Sequence, residues 1–337
     1  MPDVVDASVL VIGGGAVGGV TAGLMADGVR RVVVLDANDE HVRRMRDPGL
    51  ELDILGAERT VRLEATSAPE ELEGPFDFAL VTLKAPALDV ALPPLRDLAE
   101  SFVALGNGLV ADHVGELVGA ERLIAGTVEL GATNLGPGRL RQTTRNPFVI
   151  GELDGTRRRR TERLAEVLGA AGEVHITTNI RGQIWSKLLV NSAFSALGAV
   201  SGGTYRDVAA EPTGRRALAA VWSEGHRIGI AQGLELERAL GIDPGQITFD
   251  PGATLSAATE SAIDVVIGLA GATEASMLQD LRRGVLTEVD VINGAVVARA
   301  AAVGLDAPRN ARIVELVHAF ERGERAPSPA HLAELAA

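Results

Sequence analysis

Lys187, Asn191 and Ser195 fall at i, i+4 and i+8 within residues 184–197, which read IWSKLLVNSAFSAL. Ile184, Trp185, Leu188, Leu189, Val190, Phe194 and Leu197 make the stretch apolar, and it holds neither Pro nor Gly, so it predicts a helix. Helical geometry stacks the three polar residues on one face. An ammonium, an amide and a hydroxyl together suit a small anionic ligand at the edge of a cleft. The plainer alternative is a lysine that snorkels out of an apolar helix beside two small polar residues. The helix alone does not decide between them.

A second set of candidates lies near the N-terminus. The β-branched run 8–12 (SVLVI) predicts a strand buried on both faces, and Gly13-Gly14-Gly15-Ala16-Val17-Gly18 follows it directly. A small-residue helix over 18–27 and a further strand over 31–35 (RVVVL) complete the βαβ setting that a GxGxxG fingerprint requires. In that setting Gly13 permits the tight turn, Gly15 admits a pyrophosphate to the backbone, and Gly18 lets helix and strand approach. Ala16 and Val17 begin the helix whose free N–H groups face the phosphates. Asp36 ends the second strand, where a carboxylate accepts from ribose hydroxyls and repels a 2′-phosphate. It favours NAD(H); Arg43 and Arg44 nearby keep NADP(H) possible, and a helix cap or turn would equally explain an aspartate there. Lys84 follows the strand 76–83 and is expected beyond its carboxyl end, where ligands bind; an ordinary solvated loop lysine is the alternative. Asn107 sits between Gly106 and Gly108, in a turn that exposes its amide.

Composition bounds the function. The 337 residues suffice for two domains. With 46% hydrophobic but only 3% aromatic residues, the cores must be built from Ala, Val, Leu and Ile. A net charge of −13 supplies no surplus of cations for a nucleic-acid partner. Cysteine is absent and the six histidines lie far apart, so neither thiolate chemistry nor a metal site is expected. No apolar run is long enough for a membrane span, and the acidic N-terminus lacks the basic start of a signal peptide, so a cytoplasmic protein is expected.

Further strands are expected over 101–105, 123–128, 138–141, 148–151 and 174–177, with 123–128, 138–141 and 148–151 extending the edge of the same sheet, and a helix over 161–171. After Asn179 strand signals nearly vanish. Helical periodicity covers about 181–200, 209–233, 256–284, 287–303 and 308–322. The expected architecture is α/β: an N-terminal Rossmann-type parallel sheet over 1–179, followed by an all-α domain over 180–337 that opens with the lysine helix. Glu288 would lie in the first turn of its helix, where a carboxylate suits the dipole. The Ala-rich helical part could bury a homodimer face.

Taken in order, GGGAVG at 13–18, VTLK at 81–84, GNG at 106–108, IWSKLLVN at 184–191, SMLQD at 276–280 and TEVDVING at 287–294 resemble the ketopantoate reductase (2-dehydropantoate 2-reductase) family over nearly the whole chain. The resemblance implies that Lys187 acts as general acid and that Glu288 helps to place the lysine and cofactor. It further implies that Asn107, Asn191 and Ser276 contact substrate or cofactor, with Ser195 at a substrate position, and that Lys84 belongs to the cofactor loop. The chemistry is consistent: an alkoxide developing on a 2-oxo acid needs a proton and a counter-charge, and an ammonium offers both. The chain departs from the pattern at Ser195, where the family often carries an Asn, at 201–207 (SGGTYRD), where another substrate Asn is common, and at Asp36. Other readings on this architecture are an opine- or imine-type reductase and a non-catalytic NAD(H)-binding redox sensor.

Overall fold

The computed structural model describes residues 4–145 and 147–337. The chain forms two compact units, Met1–Gly106 with Val110–Ile180, and Asn107–Leu109 with Arg181–Ala337.

The first unit is built on two sheets. Its strands are β1 (Val5–Ile12), β2 (Val29–Leu35), β3 (Leu50–Ile54), β4 (Ala57–Val61), β5 (Glu64–Thr66), β6 (Phe76–Val81), β7 (Ala99–Ala104), β8 (Leu123–Val128), β9 (Ala132–Gly136), β10 (Arg139–Gln142), β11 (Phe148–Gly151) and β12 (Val174–Ile176). The larger sheet runs β12-β11-β8-β7-β6-β1-β2-β5. Every neighbouring pair in it is parallel except β8 with β11. The order β5-β2-β1-β6-β7-β8 is the doubly wound one, with its reversal beside β1. Val9, Leu10, Val11 and Ile12 are buried on both faces, as a central parallel strand requires.

The helices of this unit are α1 (Ala16–Met25), α2 (Asp39–Arg44), α3 (Leu88–Ala91), α4 (Ala111–Val118) and α5 (Arg159–Gly169). One side of α1 packs on β1 and β2, the other on β3, β9 and β10. Small residues make this double contact possible. A Cβ on Gly18 would overlap Gly13 O and Thr82 Oγ1. The fingerprint glycine therefore fixes how closely α1 lies on the strands.

The second sheet, β4-β3-β10-β9, corrects the sequence expectation for 138–141. That strand is not an edge of the main sheet; β10 lies between β3 and β9, parallel to the first and antiparallel to the second. Strands β3, β4 and β9 of this sheet were not expected. β3 and β4 are short, carry Glu51, Asp53, Glu58 and Arg59, and are joined by a tight hairpin at Leu55 and Gly56, both with positive φ. Leu50, Leu52 and Leu140 supply the buried face.

The second unit is helical apart from Asn107–Leu109 and loops. It contains α6 (Ile180–Val190), α7 (Ala196–Ser201), α8 (Tyr205–Val208), α9 (Pro212–Ala231), α10 (Ala257–Ala270), α11 (Ser276–Arg283), α12 (Ala295–Ala302), α13 (Pro308–Glu321) and α14 (Leu332–Ala336). The stretch expected as one helix over 256–284 is two, α10 and α11. Two wide π-turns, Asn191–Ser195 and Asp290–Gly294, interrupt what the sequence reads as continuous helices. Trp185 and Trp222 are fully buried; their indole N–H groups donate to Gly225 O at 3.0 Å and Pro244 O at 2.9 Å. Phe194 meets Trp222 edge-on at 6.1 Å. No helix among the described residues is long and apolar enough to cross a membrane.

Gly18→Ala should lower stability by about 1–3 kcal/mol, because backbone rather than a flexible side chain must yield. Urea unfolding measures this, and an unchanged midpoint would show slack between α1 and the strands.

Candidate active site

In the first unit the glycine loop is tied down by its neighbours. β1 ends at Ile12, and Gly13 N–H donates to Leu35 O at 2.8 Å with φ at +99°. Thr82 Oγ1 donates to Gly13 O at 2.7 Å. Gly15 caps α1 with no side-chain bond to the helix N–H groups, and a Cβ placed there would meet nothing within 4 Å. The start of α1 thus offers donors, the positive end of its dipole and room for a backbone-hugging diphosphate.

Asp36 lies beside that loop. Its Oδ2 accepts Gly14 N–H at 2.8 Å and its Oδ1 accepts Asn38 N–H at 2.9 Å. The second bond is an Asx-type turn, so the plainer account of Asp36 holds in part. The cap of α2 is Asn38, whose Oδ1 accepts His41 N–H at 3.0 Å. Each carboxylate oxygen keeps acceptor capacity beyond its one backbone bond. Lys84 is exposed and caps the turn Ala85–Ala87, three residues beyond the end of β6.

Sequence reasoning missed His41. It is 3% exposed, with Nε2 2.7 Å from Gly14 O and Nδ1 accepting Gly138 N–H at 2.7 Å. Those partners assign the ring proton to Nε2. The imidazole joins the glycine loop to the turn before β10, a contact spanning 97 residues that leaves no local signal.

In the second unit Asn107 Nδ2 donates to Glu288 Oε2 at 3.0 Å, joining the GNG turn to the TEVD stretch. Glu288 is buried. The same segments meet through the backbone, where Leu109 N–H donates to Val291 O at 3.2 Å. Val291 O is available because Ala295 N–H, its donor in an α-helix, bonds Ile292 O in the π-turn. Gly108 has φ at +73°, and a Cβ there would collide with Val291 O. The second glycine of GNG is therefore needed on both counts.

Lys187 lies half-buried in the last turn of α6, and Asn191 half-buried at the start of the π-turn. The wider turn changes the phase of the helix before Ser195. Ser195 is 6% exposed, and its hydroxyl lies 2.6 Å from the buried Tyr205 hydroxyl. Burial raises the Tyr205 phenol above its ordinary value, partly offset by Ser195. Ser276 is exposed at the first position of α11.

Glu288 follows a braced residue. Thr287 N–H and Oγ1 both donate to Glu321 Oε1 at 2.8 Å. His318 lies between two carboxylates, Nδ1 2.8 Å from Glu321 Oε2 and Nε2 2.9 Å from Asp290 Oδ1. The hydrogen bond to Glu321 lifts His318 above its ordinary value, burial opposes it, and Asp290 adds to it. Burial pushes the Glu321 carboxyl up, but its bonds from Thr287 and His318 outweigh that and leave it lowered.

The raised histidine stabilises the fold fully below its unfolded value of 6.5, and this is lost as pH rises through the folded value. The lowered glutamate stabilises above its unfolded value of 4.5, and this is lost as pH falls through the folded value. Wild type should therefore exceed His318→Gln in urea midpoint most between the two unfolded values, 4.5 and 6.5, with the gap closing as pH rises beyond 6.5 through the raised folded value. A gap independent of pH would show that His318 acts by packing alone.

The chain matches the family model "Ketopantoate reductase PanE/ApbA" over residues 9–155 and its C-terminal counterpart over 179–321. It is 30% identical to the 2-dehydropantoate 2-reductase of Mesorhizobium japonicum, covering 94% of this chain and 98% of that one. It is 29% identical to the enzyme of the same name from Pyrococcus abyssi, covering 93% and 97%. Among solved structures, a PanE/ApbA family ketopantoate reductase from Ralstonia eutropha superposes with a TM-score of 0.80 at 26% identity, covering 94% and 99%. D-mandelate dehydrogenase, in a ternary structure with NADH and anilino(oxo)acetate, shares the fold with a TM-score of 0.81 at 24% identity, covering 94% and 99%.

Proposed function

This chain belongs to the ketopantoate reductase family, and we propose that it uses NADH in preference to NADPH to reduce a 2-oxo acid, ketopantoate or a close analogue, to the 2-hydroxy acid. The observation that carries this reading is the Asn107–Glu288 hydrogen bond, which joins two of the family's stretches in the unit that also bears Lys187 and Asn191.

The first unit's residues fit a dinucleotide. The open backbone at Gly15 and the uncapped N-terminus of α1, with Ala16 and Val17, would hold the diphosphate, and Lys84 would add a cation. Asp36 would accept the adenosine ribose hydroxyls with its remaining lone pairs. A 2′-phosphate would bring a second anion to that carboxylate, which is the ground for preferring NADH. When bound, the nicotinamide supplies the hydride.

The second unit's residues would handle the keto acid. Asn191 and Ser276 would hold its carboxylate and neighbouring oxygens as donors. Lys187 would stand at the keto oxygen, stabilise the negative charge that develops as the carbon is reduced, and give that oxygen a proton from Nζ. Glu288, oriented by Asn107, would keep the lysine placed and charged. Ser195 is engaged with Tyr205, so we read this pair as shaping the wall around the acyl substituent.

Initial rates of NADH and NADPH oxidation with ketopantoate and a panel of other 2-oxo acids test the proposal. NADH should be the better cofactor, and Asp36→Ala should weaken NADH binding and raise the relative use of NADPH. A wild type that already prefers NADPH sinks the cofactor assignment. Turnover that requires an added amine would instead mark an opine- or imine-type reductase. Lys187→Ala should lower kcat by about two to four orders of magnitude with cofactor affinity nearly unchanged. An unaltered kcat removes Lys187 from proton transfer.

A further inference from the structure

The π-turn at Asn191–Ser195 leaves one buried backbone carbonyl without its helical donor. Ala196 N–H, which an α-helix would direct to Ser192 O, bonds Asn191 O and Ala193 O instead. Asn293 Nδ2 donates to Ser192 O at 2.9 Å. Asn293 belongs to the other π-turn, the one that follows Glu288. The same Nδ2 donates to Asn310 Oδ1 at 3.0 Å, and Asn310 Nδ2 donates to Glu224 Oε2 at 2.9 Å. Glu224 reaches from α9 to the first turn of α13. Its Oε2 also accepts Asn310 N–H at 3.1 Å, and its Oε1 accepts Arg309 N–H at 3.1 Å and Arg309 Nη1 at 3.2 Å. Ser192, Asn293 and Asn310 are fully buried, and Glu224 is 2% exposed.

Glu224 sets the direction of this chain of bonds. Its oxygens meet only donors, so Asn310 must turn its NH2 to the carboxylate and its carbonyl toward Asn293. Asn293 must then present its NH2, and that same group reaches Ser192 O. The flipped amide would set an oxygen against two acceptors. Asn293 Oδ1 has no hydrogen-bond partner among the described residues. Burying an amide carbonyl in this way costs stability, which an apolar side chain would avoid. What the arrangement delivers in return is a donor at the carbonyl that the π-turn exposes.

We propose that Glu224, Asn310 and Asn293 form a buried amide relay that holds the π-turn after Lys187, and so fixes Lys187 and Asn191 relative to Glu288. All three are positioning residues; their bearing on the reaction rests on the reading of Lys187 and Glu288 above. Glu224→Gln keeps the shape but lets both amides flip. Asn293→Leu removes the donor and leaves the start of α13 capped by Glu224.

Hydrogen exchange by mass spectrometry on the intact chain tests the relay without reference to activity. In either variant, amides of 188–197 should exchange about tenfold faster, with β1 and β6 unchanged. The double variant should add little to either single one, since both act through one chain of bonds. Unchanged exchange in 188–197, a uniform rise through the second unit, or additive effects would each overturn the relay. Should Glu224→Gln fail to fold, Asn293→Leu decides alone. Where the wild type reduces a 2-oxo acid, kcat should fall about tenfold in both variants while NADH affinity stays within about twofold; an intact kcat overturns the link to catalysis. A wild type that reduces no 2-oxo acid counts against the proposed reaction, and the exchange result still judges the relay.

Discussion

A backbone carbonyl shut away from water must find a donor. This requirement shapes the second unit at two points where helices widen. Val291 O is taken by Leu109 N–H and Ser192 O by the Asn293 amide. Each repair comes from a segment remote in sequence. The first ties the GNG turn to the stretch bearing Glu288, and the second ties that stretch to the helix bearing Lys187. Asn191 thus stands in, and Lys187 and Glu288 stand just before, irregular turns that are stitched together.

The first unit answers a different demand with similar means. Its glycine loop must stay open on the side that would face a diphosphate, so no side chain can brace it from there. The bracing comes from behind, through Thr82 on Gly13 O, Asp36 on Gly14 N–H and His41 on Gly14 O. The position of the loop is therefore a property of three other segments more than of the glycines themselves.

The contrast between local and distant determinants explains what the sequence made legible. The parallel core, the glycine fingerprint and the helical second half rest on short-range patterns, such as the β-branched run in β1 and the periodicity after Arg181. The β3–β4 hairpin was obscured because its strands are short and rich in charge, with no alternation in β4, and the partner of β3, β10, lies more than 80 residues away. The π-turns carry no Pro or unusual run, so an α-helical register at Lys187, Asn191 and Ser195 was the natural expectation. The widening sends Ser195 toward Tyr205 in the core. Glu224, Asn293 and Asn310 each look like solvated helix positions when read singly, and only their assembly, across 17 and 86 residues, reveals their burial.

The scarcity of aromatic side chains has a practical corollary. Both tryptophans and the single tyrosine, Trp185, Trp222 and Tyr205, lie in the second unit and are buried there. The sheet unit contributes no indole or phenol to the near-ultraviolet signal. Intrinsic fluorescence therefore reports the melting of the helical unit alone, while far-ultraviolet dichroism reports both. A mismatch between the two curves would separate the unfolding of one unit from that of the other in the native chain, with no label attached.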